Sequence, residues 1–476
     1  MNNKARWIAF ILLCLGDLMI VLDSTIVNVA LPSIRESLGF SEVSLVWVVN
    51  AYILTFGGFL LLGGRLGDIF GQRRLFLCGI TLFTLASLAC GLANTQALLI
   101  IARAVQGIGG AIVSAVALSL IMNLFTDTVE RTKAMGYFGF VMAGGGSIGV
   151  LLGGFLTSAL NWHWIFLVNI PIGIAVFVLC LYLLPASNKS VDSGRLDVLG
   201  ALTITSALML GVYAIVNGNS TGWMSLQTLG MLGSSLLLIA FFIFIESRVK
   251  SPLVPLHIFT IRSVVVSNIV AVLWAGAMFA WFFISALYMQ LVLGYDPLHV
   301  GLGFLSANLI MATFSFGLSA KLVTRFGIKI PLALGLSLAA VGLLLFAFSP
   351  VDGDFWLHVF PGMTLLGLGA GMAFNPMLLA AMSDMSQDES GLASGVVNTA
   401  FMMGGALGLA ILASIAAART TNLLATGTDQ LTALNGGYHI AFIVGAIFAG
   451  LAALFSALFL RSAVEASTQQ EAGAAH

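Results

Sequence analysis

Gly64-Arg65-Leu66-Gly67-Asp68-Ile69-Phe70-Gly71-Gln72-Arg73-Arg74 separates two long apolar runs, and a looser copy does the same later in the chain: Ala320-Lys321-Leu322-Val323-Thr324-Arg325-Phe326-Gly327-Ile328-Lys329. Thr324 stands in the second copy where Asp68 stands in the first. A second echo pairs Gly107-Ile108-Gly109-Gly110 with Gly367-Leu368-Gly369-Ala370. Echoes of this kind point to a membrane protein built from two related halves.

Outward from these copies, apolar runs fall at about 7 to 29, 44 to 64, 75 to 94, 97 to 122, 135 to 158, 164 to 185, 198 to 216, 226 to 245, 264 to 289, 298 to 319, 330 to 349, 356 to 381, 391 to 418 and 439 to 460. A helix needs about 20 mostly apolar residues to cross a ~30 Å hydrocarbon core. The repeats follow the second and tenth runs and lie in the fourth and twelfth, which leaves the seventh and eighth unmatched. The expected fold is therefore an all-α polytopic membrane protein of 14 transmembrane helices. It divides into an N-terminal six-helix bundle at 1–186, two additional helices with flanking loops at 187–262, a C-terminal six-helix bundle at 263–462 and a tail at 463–476.

Composition agrees. Of 476 residues, 59% are hydrophobic and 8% charged, and the mean hydropathy is +1.07; a soluble domain carries about one quarter charged residues. The runs are long and do not alternate, which excludes a β-barrel. Net charge is zero with no basic tract, so nucleic-acid binding has no basis. Cys14, Cys78, Cys90 and Cys180 lie singly in apolar runs, and the six histidines fall in loops or at helix ends. Neither set has metal-ligand spacing, and no nucleophile stands near a base, so no metal, cofactor or enzyme chemistry is expected. Lys4 and Arg6 lead into an apolar stretch longer than a signal-peptide core, read as a retained first helix.

Lys and Arg set orientation, because they are retained on the cytoplasmic side. With the N-terminus inside, sixteen of the nineteen fall in inner loops, Arg35 and Arg419 fall outside, and Arg103 lies within a helix. Both termini are then cytoplasmic. From Val198 to Ile245 no Asp, Glu, Lys, Arg or His occurs, so the two unmatched helices are expected to serve in packing or lipid contact.

Ionisable groups inside a bilayer cost several kcal/mol and mark function unless they are paired structurally. Counted at ~1.5 Å per residue, Asp17 lies near the midplane, while Asp23 and Arg103 lie at similar depth toward the outer side. The latter two form either a fixed salt bridge or a proton site. Asp17 either attracts a cationic cargo or has a structural place beside a water-filled cavity. Trp274, Trp281 and Tyr288 recur at seven-residue spacing and either line an apolar cavity or pack in the core. Glycines cluster at 107–110, 144–154 and 404–408 within apolar helices, where close helix packing rather than nucleotide binding is expected.

These stretches together resemble the major facilitator superfamily, in particular its fourteen-helix drug:proton antiporter branch, over nearly the whole chain. Leu22-Asp23-Ser24-Thr25-Ile26-Val27-Asn28-Val29-Ala30-Leu31-Pro32 is similar to that branch's first-helix signature. Gly64 to Arg74 is similar to the superfamily's signature between helices two and three, and Arg103-Ala104-Val105-Gln106-Gly107 to its fourth-helix motif. Trp162-His163-Trp164 with Asn169, Pro171 and Gly173, and Tyr288-Met289-Gln290, also match, with His163 where Arg is common. The antiporter motif of the fifth helix keeps Gly145, Gly149, Gly153 and Gly154 but has Val150 where Pro is usual.

The resemblance implies a bacterial inner-membrane antiporter that exports amphipathic small molecules against inward proton flow, acting as a monomer in the lipid bilayer. It implies proton coupling by Asp23 and Arg103, gating by Gly64, Asp68, Gly71 and Arg73, and packing by the fifth-helix glycines. Candidate cargo-cavity residues are Asp17, Asn28, Gln106, Trp274, Trp281, Tyr288 and Gln290. Uptake of a metabolite, or an intramembrane receptor or enzyme, are the competing readings.

Overall fold

The computed structural model describes residues 3–125, 127–184, 197–249, 252–314, 318–385 and 389–460, and among them holds helices and no strands. The first group comprises α1 (Asn3–Leu38), α2 (Val46–Phe70), α3 (Gln72–Gly91), α4 (Gln96–Leu124), α5 (Thr128–Ala159), the single turn α6 (Trp164–Leu167) and α7 (Asn169–Leu183). A hairpin follows, α8 (Val198–Thr221) and α9 (Leu226–Glu246). The last group holds α10 (Arg262–Leu287), α11 (Pro297–Thr313), α12 (Ser319–Phe326), α13 (Lys329–Phe346), α14 (Phe360–Met382), α15 (Ser390–Ala425) and α16 (Gln430–Phe459). Twelve helical segments are long and apolar enough to cross a membrane, and Gly144–Ala159 and Pro297–Thr313 are shorter apolar helices.

Within each group the helices pack chiefly on one another, and the groups meet along α2 with α15 and α5 with α11. Lipid tails are as apolar as leucine, so helices associate through close contact rather than by escape from water. Glycine supplies that closeness. A Cβ at Gly149 would overlap Thr25 Oγ1, one at Gly153 would lie 2.7 Å from Ile26 O, and one at Gly408 would overlap the Gly276 backbone. α5 runs without interruption past Val150, and its glycines bring it onto α1.

The two basic stretches share one local geometry. Gly71 ends α2 with φ +91° and donates its N–H to Gly67 O at 3.1 Å; Gly327 ends α12 with φ +73° and donates to Val323 O at 2.8 Å. Glycine tolerates this left-handed region at no steric cost. Both copies therefore turn the chain into the next helix in the same way.

The hairpin lies on the seam between the groups. Gly58 of α2 lets α8 approach until a Cβ would overlap Thr205 Oγ1. On the other side Asn219 Nδ2 donates to Ser414 O at 2.8 Å, and Ser414 Oγ to Ile215 O at 3.1 Å. α9 packs mainly on α8 and leaves Leu226, Leu236 and Leu237 exposed, as a lipid-facing helix does.

Gly408→Val forces the α10 and α15 backbones apart and is expected to destabilise the protein by about 1–3 kcal/mol. At Gly450, where nothing lies within 4 Å of an added Cβ, alanine is expected to be neutral or to add up to about 1 kcal/mol through helix propensity. Thermal unfolding of the purified protein in detergent measures both.

Candidate functional site

Three polar residues follow Asp23 in α1, in an apolar phase where no water satisfies them. Ser24 Oγ and Thr25 Oγ1 each donate to Val21 O at 2.9 Å, and Asn28 Nδ2 to Ser24 O at 3.2 Å. Their hydrogen bonds return to α1 itself. Asp23 is different: it is 0% exposed and looks across to α4 and α7.

Arg103, 1% exposed, donates through Nη1 to Asp23 Oδ2 and, at 2.7 Å, to Gln106 Oε1, and through Nε to Val48 O at 2.9 Å. Gln106 Nε2 donates to Asp23 Oδ1 at 2.7 Å and to Ser87 Oγ at 2.7 Å. Asn169 Nδ2 adds a third donor to the carboxylate, reaching Oδ1 at 3.2 Å. The guanidinium carbon lies 4.4 Å from the Tyr52 ring centre and 5.6 Å from that of Phe166, so aromatic faces contribute cation–π attraction where water is absent. The hydrogen-bond partners of Asp23 among the described residues, Arg103, Gln106 and Asn169, all donate to it. Three donors thus meet a carboxylate that has about four acceptor sites.

Asp17 is also 0% exposed, but neither of its oxygens has a hydrogen-bond partner among the described residues; the Ser114 hydroxyl of α4 lies nearby, outside bonding geometry. The six residues between the two acids correspond to about 9 Å along α1.

Trp274, Trp281 and Tyr288 are at most 1% exposed, and Tyr288 Oη donates to Pro350 O at 2.8 Å. Gln290 lies in a π-helical turn, Tyr288–Val292, and donates from Nε2 to Val29 O at 2.9 Å, joining the last group to α1. Asn50 Nδ2 makes a similar link to Ala406 O at 2.9 Å. Of the gate candidates, Gly64 has open space beside it, Gly71 forms the turn, and Arg73 donates to Leu181 O. The Asp68 side chain lies outside the described residues. Gly145 packs on Leu18, while Gly154 touches the Pro297 backbone across the α5–α11 seam. His163 stacks on Trp162 with ring centres 3.7 Å apart, and burial lowers its pKa, so it is an uncharged ring at neutral pH.

Tyr52 and Ser87 escaped the sequence reading, and Asn169 carried no assigned role there. All three are uncharged residues within apolar runs, where hydropathy gives no signal.

Two groups of packed membrane helices, meeting along two seams and enclosing buried charge in one of them, define a membrane transport protein. The chain belongs to the Major Facilitator Superfamily, whose profile matches residues 13–409. It is 37% identical over 475 residues to the puromycin resistance protein pur8 of Streptomyces alboniger, covering 98% of this chain and 94% of that one. It is 36% identical over 417 residues to the cephamycin export protein CmcT of Amycolatopsis lactamdurans, covering 87% and 85%. Among solved structures, an auto-inhibited POT family peptide transporter shares the fold with a TM-score of 0.67 at 15% identity, covering 95% of this chain and 96% of that one.

Removing one partner of a buried ion pair costs about 3–5 kcal/mol, whereas replacing both with apolar side chains of similar size is often neutral or stabilising. Asp23→Leu with Arg103→Met is therefore expected to unfold at a higher temperature than either single variant. Thermal unfolding in detergent checks this.

Proposed function

We propose that the chain is a proton-coupled efflux transporter of the bacterial cytoplasmic membrane, exporting hydrophobic or amphipathic toxic compounds by alternating access. The observation that carries this reading is the buried Asp23–Arg103 pair with its donors, held in α1 and α4 of a superfamily member. Any buried ion pair needs such a polar surround; what favours a proton site is that the pair stands in α1 and α4 of a superfamily member whose relatives are named as export and resistance proteins. The names of the relatives, which denote resistance and export proteins, support the cargo class and direction.

In this reading the single chain is the transport unit, with both termini in the cytoplasm. The twelve long spans among the described residues, together with the shorter apolar helices of α5 and α11, make fourteen crossings. Residues 1–186 and 263–462 are the two rocking halves, 187–262 the additional pair and 463–476 the tail. The donors of Asp23 all belong to its own half, so rigid rocking alone leaves the pair intact. The Gln290–Val29 bond supplies the link, because opening that seam releases α1 about two turns from Asp23. A tilt of α1 then strips donors from the carboxylate and lets it take a proton. Asp17, Asn28 and Gln106, with the aromatic face of Trp274, Trp281 and Tyr288, border the path of the cargo. Gly64, Asp68, Gly71 and Arg73 form the inner gate.

Overproduction in a sensitive bacterial host is expected to raise tolerance to puromycin or other amphipathic antibiotics and to lower their accumulation. The stable Asp23→Leu/Arg103→Met variant should give no protection at equal abundance. Unchanged tolerance across a broad panel would overturn export, and a protective double variant would make the pair structural.

Met224 and Ser247 are exposed at opposite ends of α9. In intact spheroplasts an impermeant thiol reagent is expected to label Met224→Cys and to spare Ser247→Cys until the membrane is broken. Equal labelling at the two positions would contradict the proposed topology.

A further inference from the structure

The hairpin that carries no Asp, Glu, Lys, Arg or His from Val198 to Ile245 is bracketed by two acids, Asp197 and Glu246. They are 5% and 3% exposed. Asp197 caps α8, its Oδ1 accepting from Gly200 N at 2.8 Å. Glu246 closes α9, and its Oε2 accepts from Val254 N at 3.3 Å. The remaining oxygens, Asp197 Oδ2 and Glu246 Oε1, have no donor among the described residues, and the two carboxyl groups face each other within hydrogen-bonding reach. Gly200 makes room for this arrangement, since a Cβ there would collide with Asp197 Oδ2.

Two ionised carboxylates only accept hydrogen bonds, so each would repel the other and leave both buried oxygens unsatisfied. Among the described residues no cation compensates them. Arg248 lies over the Phe244 ring at 5.1 Å, His257 faces Glu389 at 3.3 Å, and Arg65 of α2 is exposed. Asp197 is the one charged group among the described residues that acts on Glu246.

We propose that Asp197 and Glu246 share a single proton, forming a second proton-binding site separate from Asp23, and that this proton fastens the connector at Leu253 and Val254 to the hairpin. One proton turns two clashing acceptors into a donor and an acceptor, and leaves Glu246 Oε2 free to hold the Val254 N–H. The fastening bears on the transport scaffold because Leu253 packs with Leu62 of α2 and Ala201 of α8, and Val254 packs with Leu61 beside Ala393 and Val396 of α15. Loss of the shared proton makes both groups anionic, drives them apart and frees the connector from the end of α2 next to the Gly64–Arg74 stretch. The site thus reports the pH of the compartment on that side, the cytoplasm in the orientation proposed above.

The test uses the full chain in lipid nanodiscs and needs no cargo. Infrared difference spectra are expected to show a protonated-carboxyl C=O band that disappears in Glu246→Gln and also in Asp197→Asn, because either amide donates to the remaining carboxylate. Amide exchange at Val254, corrected for the intrinsic rate, should lose protection as pH rises from about 6 to about 9 in the wild type, and should be independent of pH in Glu246→Gln. Survival of the band in either variant, or the same alkaline loss of protection in wild type and Glu246→Gln, overturns the shared proton. Neither readout depends on transport, so failure here leaves the export reading untouched, and the reverse also holds.

Discussion

The ion pair of Asp23 and Arg103 sets the terms for the first half of the molecule. Two opposite charges withdrawn from water each carry a desolvation cost of several kcal/mol, which their attraction offsets only with good geometry and with hydrogen bonds to the remaining atoms. α4 provides Arg103 and Gln106, α3 provides Ser87, α7 provides Asn169, and α2 provides the Val48 carbonyl and the Tyr52 ring. Four helices thus converge on a carboxylate carried by α1. Any motion that tilts α1 changes the number of donors at that carboxylate, and a buried acid that loses donors becomes a place for a proton.

Close packing makes such a motion possible without melting the fold. Glycines at 145, 149 and 153 let α5 lie against α1, and those at 276 and 408 let α10 lie against α15. Gly153, Gly276 and Gly408 face backbone atoms, while Gly145 and Gly149 face the side chains of Leu18 and Thr25. Gln290 and Asn50 cross between the groups by single hydrogen bonds to Val29 O and Ala406 O, which break at far lower cost than a packed glycine seam. The α8–α9 hairpin sits astride α2 and α15 and so touches both groups at the place where they meet.

Much of this was legible in the sequence. Run length and composition give the membrane helices, and the likeness of Gly64–Arg74 to Ala320–Lys329 extends in the structure to the same positive-φ glycine turn, Gly71 and Gly327. Counting residues inward placed Asp23 and Arg103 at similar depth, and the two are in contact. What stayed hidden depends on azimuth rather than depth. Hydropathy locates a residue along a helix axis but does not say which neighbour it faces, so Ser87, Asn169 and Tyr52 looked like ordinary members of apolar runs. The seat of the hairpin on the seam was hidden for the same reason, because Gly58 and Thr205 show their closeness only in three dimensions. Asp197 and Glu246 lay at run ends, where acids draw no notice until their burial and mutual approach are seen.

The central claim is that Asp23 carries the proton whose movement drives the cargo. Purified Asp23→Asn reconstituted into vesicles separates binding from coupling, since amide and carboxylate are alike in shape and differ in charge. With a compound that the wild-type protein is first shown to accumulate as the probe, the account predicts that the variant still exchanges labelled for unlabelled compound across the membrane while an imposed pH gradient produces no accumulation. Accumulation driven by the gradient at the wild-type level in Asp23→Asn vesicles would contradict it.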